Sequence, residues 1–227
     1  MNAPNATPWT REMAARLRIL FWLKFLGTSA WVWVFFMGYF HTLRHPVHPV
    51  TVMPLTVVDA WIPFLPWMLA PYLSLWVYVG VAPGMLRNFR SLVIYGLWAG
   101  ALCVSGLALF YFWPTQIPPL PVDTSAPGFA LLQGIDAAGN ACPSMHVAIS
   151  VFTAVWIERT LSFVGTPPWL RVLNGLWLLA ICVSTVAVRQ HVALDVLGGV
   201  LLGGAFAWAS LRWSPAEQWM TKSERLS

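Results

Sequence analysis

The sequence predicts an all-α, polytopic membrane protein in which six transmembrane helices form a single bundle. Two observations support this fold class. Of the 227 residues, 58% are hydrophobic and only 9% are charged, whereas a soluble domain carries about 25% charged residues. Six apolar windows also have the roughly 20 residues that a bilayer requires. They lie near residues 19–40, 64–82, 91–113, 144–162, 170–188 and 193–212.

The segments that flank and connect these windows alternate in charge, which predicts the orientation of the chain. One set of segments is basic and holds Arg11, Arg16, Arg18, Arg87, Arg90, Arg159, Arg171, Arg212, Lys222 and Arg225. The other set holds only Arg44 and Arg189. By the positive-inside rule both termini are cytoplasmic, with residues 1–18 as an N-terminal segment, 19–213 as the membrane domain and 214–227 as a tail. The expected location is a bacterial inner membrane, with the second face toward the periplasm or exterior.

Local signals refine single elements. The stretch Thr10–Lys24 is typical of an interfacial start to the first helix, and Pro66 and Pro71 predict a kink in the second. The connection 114–143 is rich in proline, so we expect little regular structure there. Four glycines between residues 198 and 204 form a stripe of small residues, which favours close helix packing.

The basic character of the chain does not indicate nucleic-acid binding. Its formal net charge is +5, but the 13 Lys and Arg residues stand at the ends of apolar windows and form no stripe. The expected partner is therefore the membrane. The three cysteines suggest no disulfide framework, and Cys103 and Cys182 fall inside apolar windows.

The face with few basic residues collects the remaining titratable chemistry. It receives His41, His45, His48, His146 and His191, together with Asp59, Asp123, Asp136 and Asp195. On a helix, His191 and Asp195 would share a face one turn apart, so that the carboxylate orients the imidazole as in a catalytic triad. The alternative is a polar cap at the helix start. Asp59 precedes a proline-bounded segment and is predicted to cap a short interfacial element.

His146 lies at the start of another apolar window. Pro143 suits the first turn of a helix, and Asn140 or Ser144 could cap it. The free backbone N–H groups of such a helix start would bind an anion beside the histidine. Two crossings separate His146 from His191, which returns both residues to the same face.

The two motifs together resemble the type-2 phosphatidic acid phosphatase superfamily. Pro143-Ser144-Met145-His146 is similar to its central Pro-Ser-x-His motif, and His191-x-x-x-Asp195 to the end of its third motif. Two further segments are most similar to the branch that contains inositol phosphorylceramide synthase. One is STVAVRQHVALDVLGG, which holds the third motif, and the other is VDAWIPFLPW, before the second window. The resemblance implies a six-helix enzyme that acts on a lipid phosphate substrate.

The resemblance also implies a role for each matching residue. His191 would attack phosphorus to form a phosphohistidine, and Asp195 would orient it. His146 would protonate the leaving lipid oxygen and then activate water or an alcohol. Ser144 and nearby N–H groups would hold phosphate oxygens. This mechanism requires no metal and no other cofactor.

Two departures from the family pattern remove expected cations. The first motif, a lysine followed by Arg-Pro, has no counterpart in Phe110–Pro121, and the arginine six residues before His191 is replaced by Thr185. On a helix that continues past Thr185, Arg189 would lie on the same face. We therefore expect Arg189 to contact the phosphate, and a monophosphate to be preferred over a pyrophosphate.

The predicted function is hydrolysis of a lipid phosphomonoester, of the phosphatidate or isoprenyl phosphate type. Two alternatives remain open at this stage. One is a phosphotransferase that moves a phosphoryl-bearing head group to an alcohol, and the other is a non-catalytic lipid-binding or transport protein. A metal site built from the two motif histidines and Asp195 is a third possibility, kept open by the extra histidines at 41, 45 and 48.

Overall fold

A computed structural model of the chain describes residues 8–119 and 139–213. The described part is a helical bundle. Its helices are α1 (Trp9–Arg18), α2 (Phe21–Arg44), α3 (Val57–Trp61), α4 (Leu69–Met85), α5 (Phe89–Phe112), α6 (Met145–Val164), α7 (Pro168–Ala187) and α8 (Ala193–Trp213). Two strands of two residues, β1 (Thr51–Val52) and β2 (Thr115–Gln116), pair in parallel. The predictions for Asp123, Asp136 and residues 214–227 lie outside the described residues.

Six of these helices are long and apolar enough to cross a membrane, which confirms the predicted fold class. They are α2, α5, α6, α7, α8 and the stretch Pro66–Met85, which includes α4. Each begins and ends within a few residues of its predicted window. Every backbone N–H and C=O in the hydrocarbon region needs a partner within the protein, and a helix supplies these partners within one segment. Each crossing is therefore a continuous apolar stretch that can be recognised in the sequence.

The first crossing differs in detail from its prediction. Thr10–Lys24 is not one continuous helix, because Leu20 has a left-handed backbone (φ 54°) and separates α1 from α2. Buried Arg16 of α1 donates to Glu12 at 2.8 Å and to the carbonyl of Met85 at 3.4 Å. Lys24 Nζ donates to the carbonyls of Arg16 and Gly84. Polar bonds thus join α1, α2 and the end of α4.

The two prolines that predicted a kink, Pro66 and Pro71, both lie at the start of the second crossing and not in the interior of its helix. Pro66 begins a 3₁₀ turn, Pro66–Met68, and Pro71 lies in the first turn of α4. The first N–H groups of a helix have no partner within it, so a proline there costs no hydrogen bond and needs no bend.

The small-residue stripe of α8 packs against α6, as predicted. A Cβ atom on Gly203 would overlap the backbone of Ala148, and one on Gly199 would overlap the carbonyl of Ser144. Only glycine permits so close an approach of the two helices. This packing fixes the start of α6 against the start of α8.

All described connections at one end of the bundle are tied together. Strand β1 follows α2 and pairs with β2, which follows α5, and Thr115 of β2 bridges to Asn140 before α6. The N–H of Leu65, before α4, donates to the carbonyl of Ala187 at the end of α7. We call this end the histidine face, because His41, His45, His48, His146 and His191 all belong to it.

Candidate active site

His191 lies in the turn between α7 and α8. Helix α7 ends at Ala187, and the N–H groups of Gln190 and His191 both donate to the carbonyl of Thr185 at 3.0 Å. His191 therefore precedes α8, which begins at Ala193, so the prediction that it shares a helix face with Asp195 is wrong. The two side chains nevertheless meet, with His191 Nδ1 3.5 Å from Asp195 Oδ2.

Asp195 reaches back from the first turn of α8 to make this contact. Its Oδ2 also accepts the N–H of Val192 at 3.0 Å, so the carboxylate caps its own helix while it faces His191. Asp195 thus has the geometry of both predicted roles, because one carboxylate oxygen caps α8 and also faces His191. The carboxylate is fully buried, and His191 is 5% exposed. Burial of a charge is costly unless it is stabilised, and the N–H of Val192 and the positive end of α8 stabilise this carboxylate.

The contact distinguishes the two nitrogens of the His191 ring. Because Nδ1 faces the carboxylate, Nε2 is the nitrogen left to act on a substrate. The N–H of Ser144 donates to the carbonyl of Asp195 at 2.9 Å, so the start of α6 is bonded to the residue that orients His191.

His146 is the second residue of α6, and aromatic side chains of α4 hold it. Its ring stacks on Tyr72, with centroids 4.7 Å apart, and meets the edge of Trp76 at 5.9 Å. On its other side, the centroid of His191 is 5.8 Å away. Sequence reasoning did not select Tyr72 and Trp76. The sequence feature that could have indicated them is their spacing, because two aromatic residues at i and i+4 share a helix face, here near the histidine face.

The structure assigns the cap of α6 to Ser144. Its Oγ accepts the N–H of Val147 at 3.4 Å, whereas Asn140 donates its side-chain amide to Tyr39 and Thr42. The predicted place of Pro143 in the first turn is wrong, because the helix begins at Met145, after the cap. The side chain of Ser144 is fully buried.

Arg189 does not continue the helix as predicted. It has a left-handed backbone (φ 59°) after the end of α7, and its Nη1 donates to the carbonyl of Asp59 at 3.3 Å. The premise that placed it on the face of Thr185 is therefore wrong. Arg189 still belongs to the turn that carries His191, and a guanidinium has further N–H donors beyond the one used here.

Asp59 links α3 to the same turn. Its Oδ2 accepts the N–H and the hydroxyl of Thr56, both at 2.7 Å, which forms a capping box. This confirms the prediction that Asp59 caps a short element. Its Oδ1 accepts the N–H of Ala193 at 2.7 Å. Asp59 thus supports the turn that carries His191, in addition to capping α3.

Cys142 also borders the site. Burial, together with the neighbouring carboxylate of Asp195, raises the pKa of its thiol to about 11. This thiol is therefore neutral at physiological pH. Within residues 8–119 and 139–213, no three His, Cys, Asp or Glu side chains are placed to hold a metal ion. The rings of His41 and His45 lie 5.1 Å apart, and His48 packs on Tyr111 and Phe112.

This arrangement combines an oriented imidazole with a second imidazole beside it. Both lie next to helix starts, of α8 and α6, and the positive end of a helix attracts anions. Such a pair can bind a phosphoryl group, attack it from one side and donate a proton on the other. Asp195 behind His191 supports the residue on which positive charge would develop.

Comparison with known proteins identified one family. The model of the PAP2 superfamily matches residues 92–219, which is more than half of the chain. The matched range contains His146, His191 and Asp195. Comparisons with curated proteins and with solved structures gave no match.

Proposed function

Because the chain belongs to the PAP2 superfamily, whose members are in general phosphatases or phosphotransferases, we propose that it hydrolyses a phosphomonoester of a membrane lipid through a phosphohistidine. The substrate would be of the phosphatidate or isoprenyl phosphate type. The observation that carries the proposal is the contact between His191 and Asp195, with the ring of His146 5.8 Å from that of His191.

In the first step, Nε2 of His191 attacks phosphorus and the bond from phosphorus to the lipid oxygen breaks. The protonated imidazole of His146 gives its proton to that oxygen, so the lipid leaves as an alcohol. Asp195 keeps the Nδ1–H of His191 in place and balances the positive charge that the ring acquires. The product is a phosphohistidine at His191 and a neutral His146.

In the second step, neutral His146 takes a proton from water as the water oxygen attacks phosphorus. The bond between nitrogen and phosphorus breaks, and inorganic phosphate and His191 are released. His146 regains the proton that it lost, so the cycle closes without a metal or other cofactor.

Phosphate oxygens need donors, and we assign this task to Arg189 and the first N–H groups of α6, whose start is capped by Ser144. Arg189 uses one N–H on the carbonyl of Asp59, which leaves other guanidinium donors for phosphate. The hydroxyl of Ser144 is buried beneath the helix start. Its assigned contribution is therefore mainly to hold the N–H groups of α6 in position.

We also assign the histidine face to the periplasm or exterior and both termini to the cytoplasm. The basis is the charge asymmetry, since Arg44 and Arg189 are the only Lys or Arg residues in the connections at the histidine face. Labelling of single cysteines from either side of intact cells or spheroplasts tests this orientation.

A phosphate-release assay tests the proposal directly. Purified protein in detergent would be given phosphatidate, an isoprenyl monophosphate and a lysolipid phosphate, with and without an alcohol acceptor such as glycerol or inositol. Release of inorganic phosphate, with radiolabel trapped on the protein and lost in His191→Ala, is expected. Label transferred to the alcohol would instead establish a phosphotransferase, and no turnover on any lipid would favour a binding protein.

A further inference from the structure

Tyr72 of α4 lies between the two segments that carry the candidate catalytic histidines. Its ring stacks on the His146 imidazole, with centroids 4.7 Å apart and ring planes 26° apart. The side chain is 3% exposed and shares a buried cluster with Met68, Leu69, Ala187 and Val188. Ala187 and Val188 end α7 and lead directly into the turn of His191. One side chain of α4 therefore packs both on His146 and in the cluster at the base of the His191 turn.

Backbone hydrogen bonds fasten the start of the second crossing to that turn as well. The N–H of Leu65, just before this crossing, donates to the carbonyl of Ala187 at 3.0 Å. Two residues earlier in α7, the carbonyl of Thr185 accepts the N–H of His191, also at 3.0 Å. The place of Tyr72 relative to His191 is thus set by segments that are bonded to each other.

The two histidines differ in what orients them. His191 faces the carboxylate of Asp195, with Nδ1 3.5 Å from Oδ2. No hydrogen bond to a residue within 8–119 or 139–213 orients the imidazole of His146, which packs against aromatic rings instead. Trp76 is 42% exposed and meets this imidazole edge-on at 5.9 Å. The stack on Tyr72 is therefore the closest ring contact that can fix the plane of His146.

We propose that Tyr72 is a positioning residue, which holds the His146 ring by stacking so that it faces the leaving oxygen of a phosphate bound between His146 and His191. The inference rests on the proposed function for the role of His146 as general acid. An acid must lie within hydrogen-bond reach of the oxygen that it protonates, so a ring that is free to rotate costs rate and not affinity. The π face of a tyrosine also attracts a cation, so the stack holds the protonated imidazole as well as the neutral one.

Three substitutions separate the ring of Tyr72 from its hydroxyl and from its bulk. Tyr72→Phe keeps the stacked ring, whereas Tyr72→Leu replaces it by an apolar side chain that still fills part of the buried cluster. Tyr78→Leu is the matched control, because Tyr78 is a buried residue of the same helix, six positions farther from the histidine face. Its hydroxyl donates to Asn174 at 2.7 Å, so this control removes a buried ring and also a hydrogen bond between helices.

The kinetic test uses rapid quenching to measure how fast label from a radiolabelled substrate reaches His191, which is the first chemical step. With phosphatidate or farnesyl monophosphate, whichever the wild type hydrolyses, Tyr72→Leu should slow this step about 10- to 100-fold with little change in KM. With para-nitrophenyl phosphate, whose leaving group needs no proton, the same variant should become labelled at nearly the wild-type rate. Tyr72→Phe should stay near the wild type on both substrates, and Tyr78→Leu should leave the ratio of the two rates unchanged.

Three results would overturn the proposal. Equal slowing with both substrates in Tyr72→Leu would mean a general loss of structure and not a misplaced acid. A loss in Tyr72→Phe as large as that in Tyr72→Leu would assign the role to the hydroxyl and not to the stacked ring. Wild-type rates in Tyr72→Leu would show that His146 needs no support from α4.

A measurement without turnover separates this inference from the proposed function. Ring currents move the NMR signals of protons that lie over an aromatic face to higher field, so the ring protons of His146 report the stack in histidine-labelled protein. Their signal is assigned by its absence in His146→Gln. We expect it to move to lower field in Tyr72→Leu and to stay in place in Tyr72→Phe and Tyr78→Leu.

The two measurements fail in different ways. If the wild type releases no phosphate, the proposed function fails, while the shift in Tyr72→Leu would still support the positioning of His146 by Tyr72. A His146 signal that Tyr72→Leu leaves in place would overturn the positioning, whatever the turnover.

Discussion

Asp59 accepts a hydrogen bond from the backbone N–H of Ala193 at 2.7 Å, although 134 residues separate the two in sequence. Ala193 is the first residue of α8, two positions after His191. The other carboxylate oxygen is held by Thr56, so the short helix α3 acts as a fixed support for the turn. The carbonyl of Asp59 also accepts from Arg189, which gives this turn a second bond to α3.

Removal of the Asp59 carboxylate should therefore misplace His191. We expect Asp59→Ala to lower kcat about 10- to 100-fold with little change in KM, since displacement by about 1 Å can cost that much. Asp59→Asn keeps an acceptor for Ala193 but places its NH₂ against the N–H of Thr56, so it should recover only part of the activity. Thr56→Val removes one bond to Asp59 and keeps the backbone donor, so it should have a smaller effect. If Asp59→Ala only lowered the yield of folded protein with wild-type kcat, its role would be structural alone.

The six crossings could be predicted because bilayer thickness sets a length that apolar windows either have or lack. The meeting of His191 with Asp195 was also within reach, because sequence spacing limits how far apart they can lie. The end of α7 could not be predicted from the sequence. Ala187 is followed by no glycine or proline, and left-handed Arg189 carries no local sequence signal.

The surroundings of His146 depend on packing between distant segments. Tyr72 lies more than seventy residues before His146, and their stacking follows from how α4 packs on α6. No periodicity in either segment specifies that pairing, because both helices are apolar around most of their circumference. The hydrogen bond from Ala193 of α8 to Asp59 could not be predicted for the same reason. Sequence could assign it a cap but not a partner in another helix.

Arg189 should contribute to phosphate binding despite its departure from the helix. A hydrogen bond to a charged group is worth enough that Arg189→Ala should lower kcat/KM about 10- to 100-fold. Arg189→Lys should recover part of this loss, because it restores the charge without the paired donors. Steady-state kinetics on an isoprenyl monophosphate measure both. Unchanged turnover in Arg189→Ala, beside abolished turnover in His191→Ala, would rule out the contact.

The contact between α6 and α8 should tolerate no side chain at Gly203. A Cβ there would overlap the backbone of Ala148, so Gly203→Leu must push the helices apart at a cost of at least about 1–3 kcal/mol. Gly204→Leu is the control, since a Cβ at Gly204 meets nothing within 4 Å. Melting curves in detergent should show a large loss for the first variant and a small change for the second. Similar melting temperatures for the two would contradict this packing.

The thiol of Cys142 should react slowly at neutral pH. Burial and the Asp195 carboxylate raise its pKa to about 11, and only the thiolate is nucleophilic. In a Cys103→Ala, Cys182→Ala background, iodoacetamide labelling should therefore keep rising about tenfold per pH unit up to about pH 10. Asp195→Asn removes a charge that disfavours the thiolate, which should move the curve to lower pH. A plateau near the pKa of an ordinary thiol would show that Cys142 is not buried beside a carboxylate.

His146 should be dispensable for the first step when the leaving group needs no proton. With a lipid phosphate, loss of the general acid in His146→Ala should slow turnover about 10²- to 10⁴-fold. With para-nitrophenyl phosphate, whose phenolate leaves unprotonated, the variant should still form the phosphohistidine at His191. It should then accumulate that intermediate, because no base remains to activate water in the second step. Rapid quenching with radiolabelled substrate would show the label, and His191→Ala should show none with either substrate. If His146→Ala formed no labelled protein even with the activated substrate, His146 would be needed to hold the phosphoryl group and not only to transfer its proton.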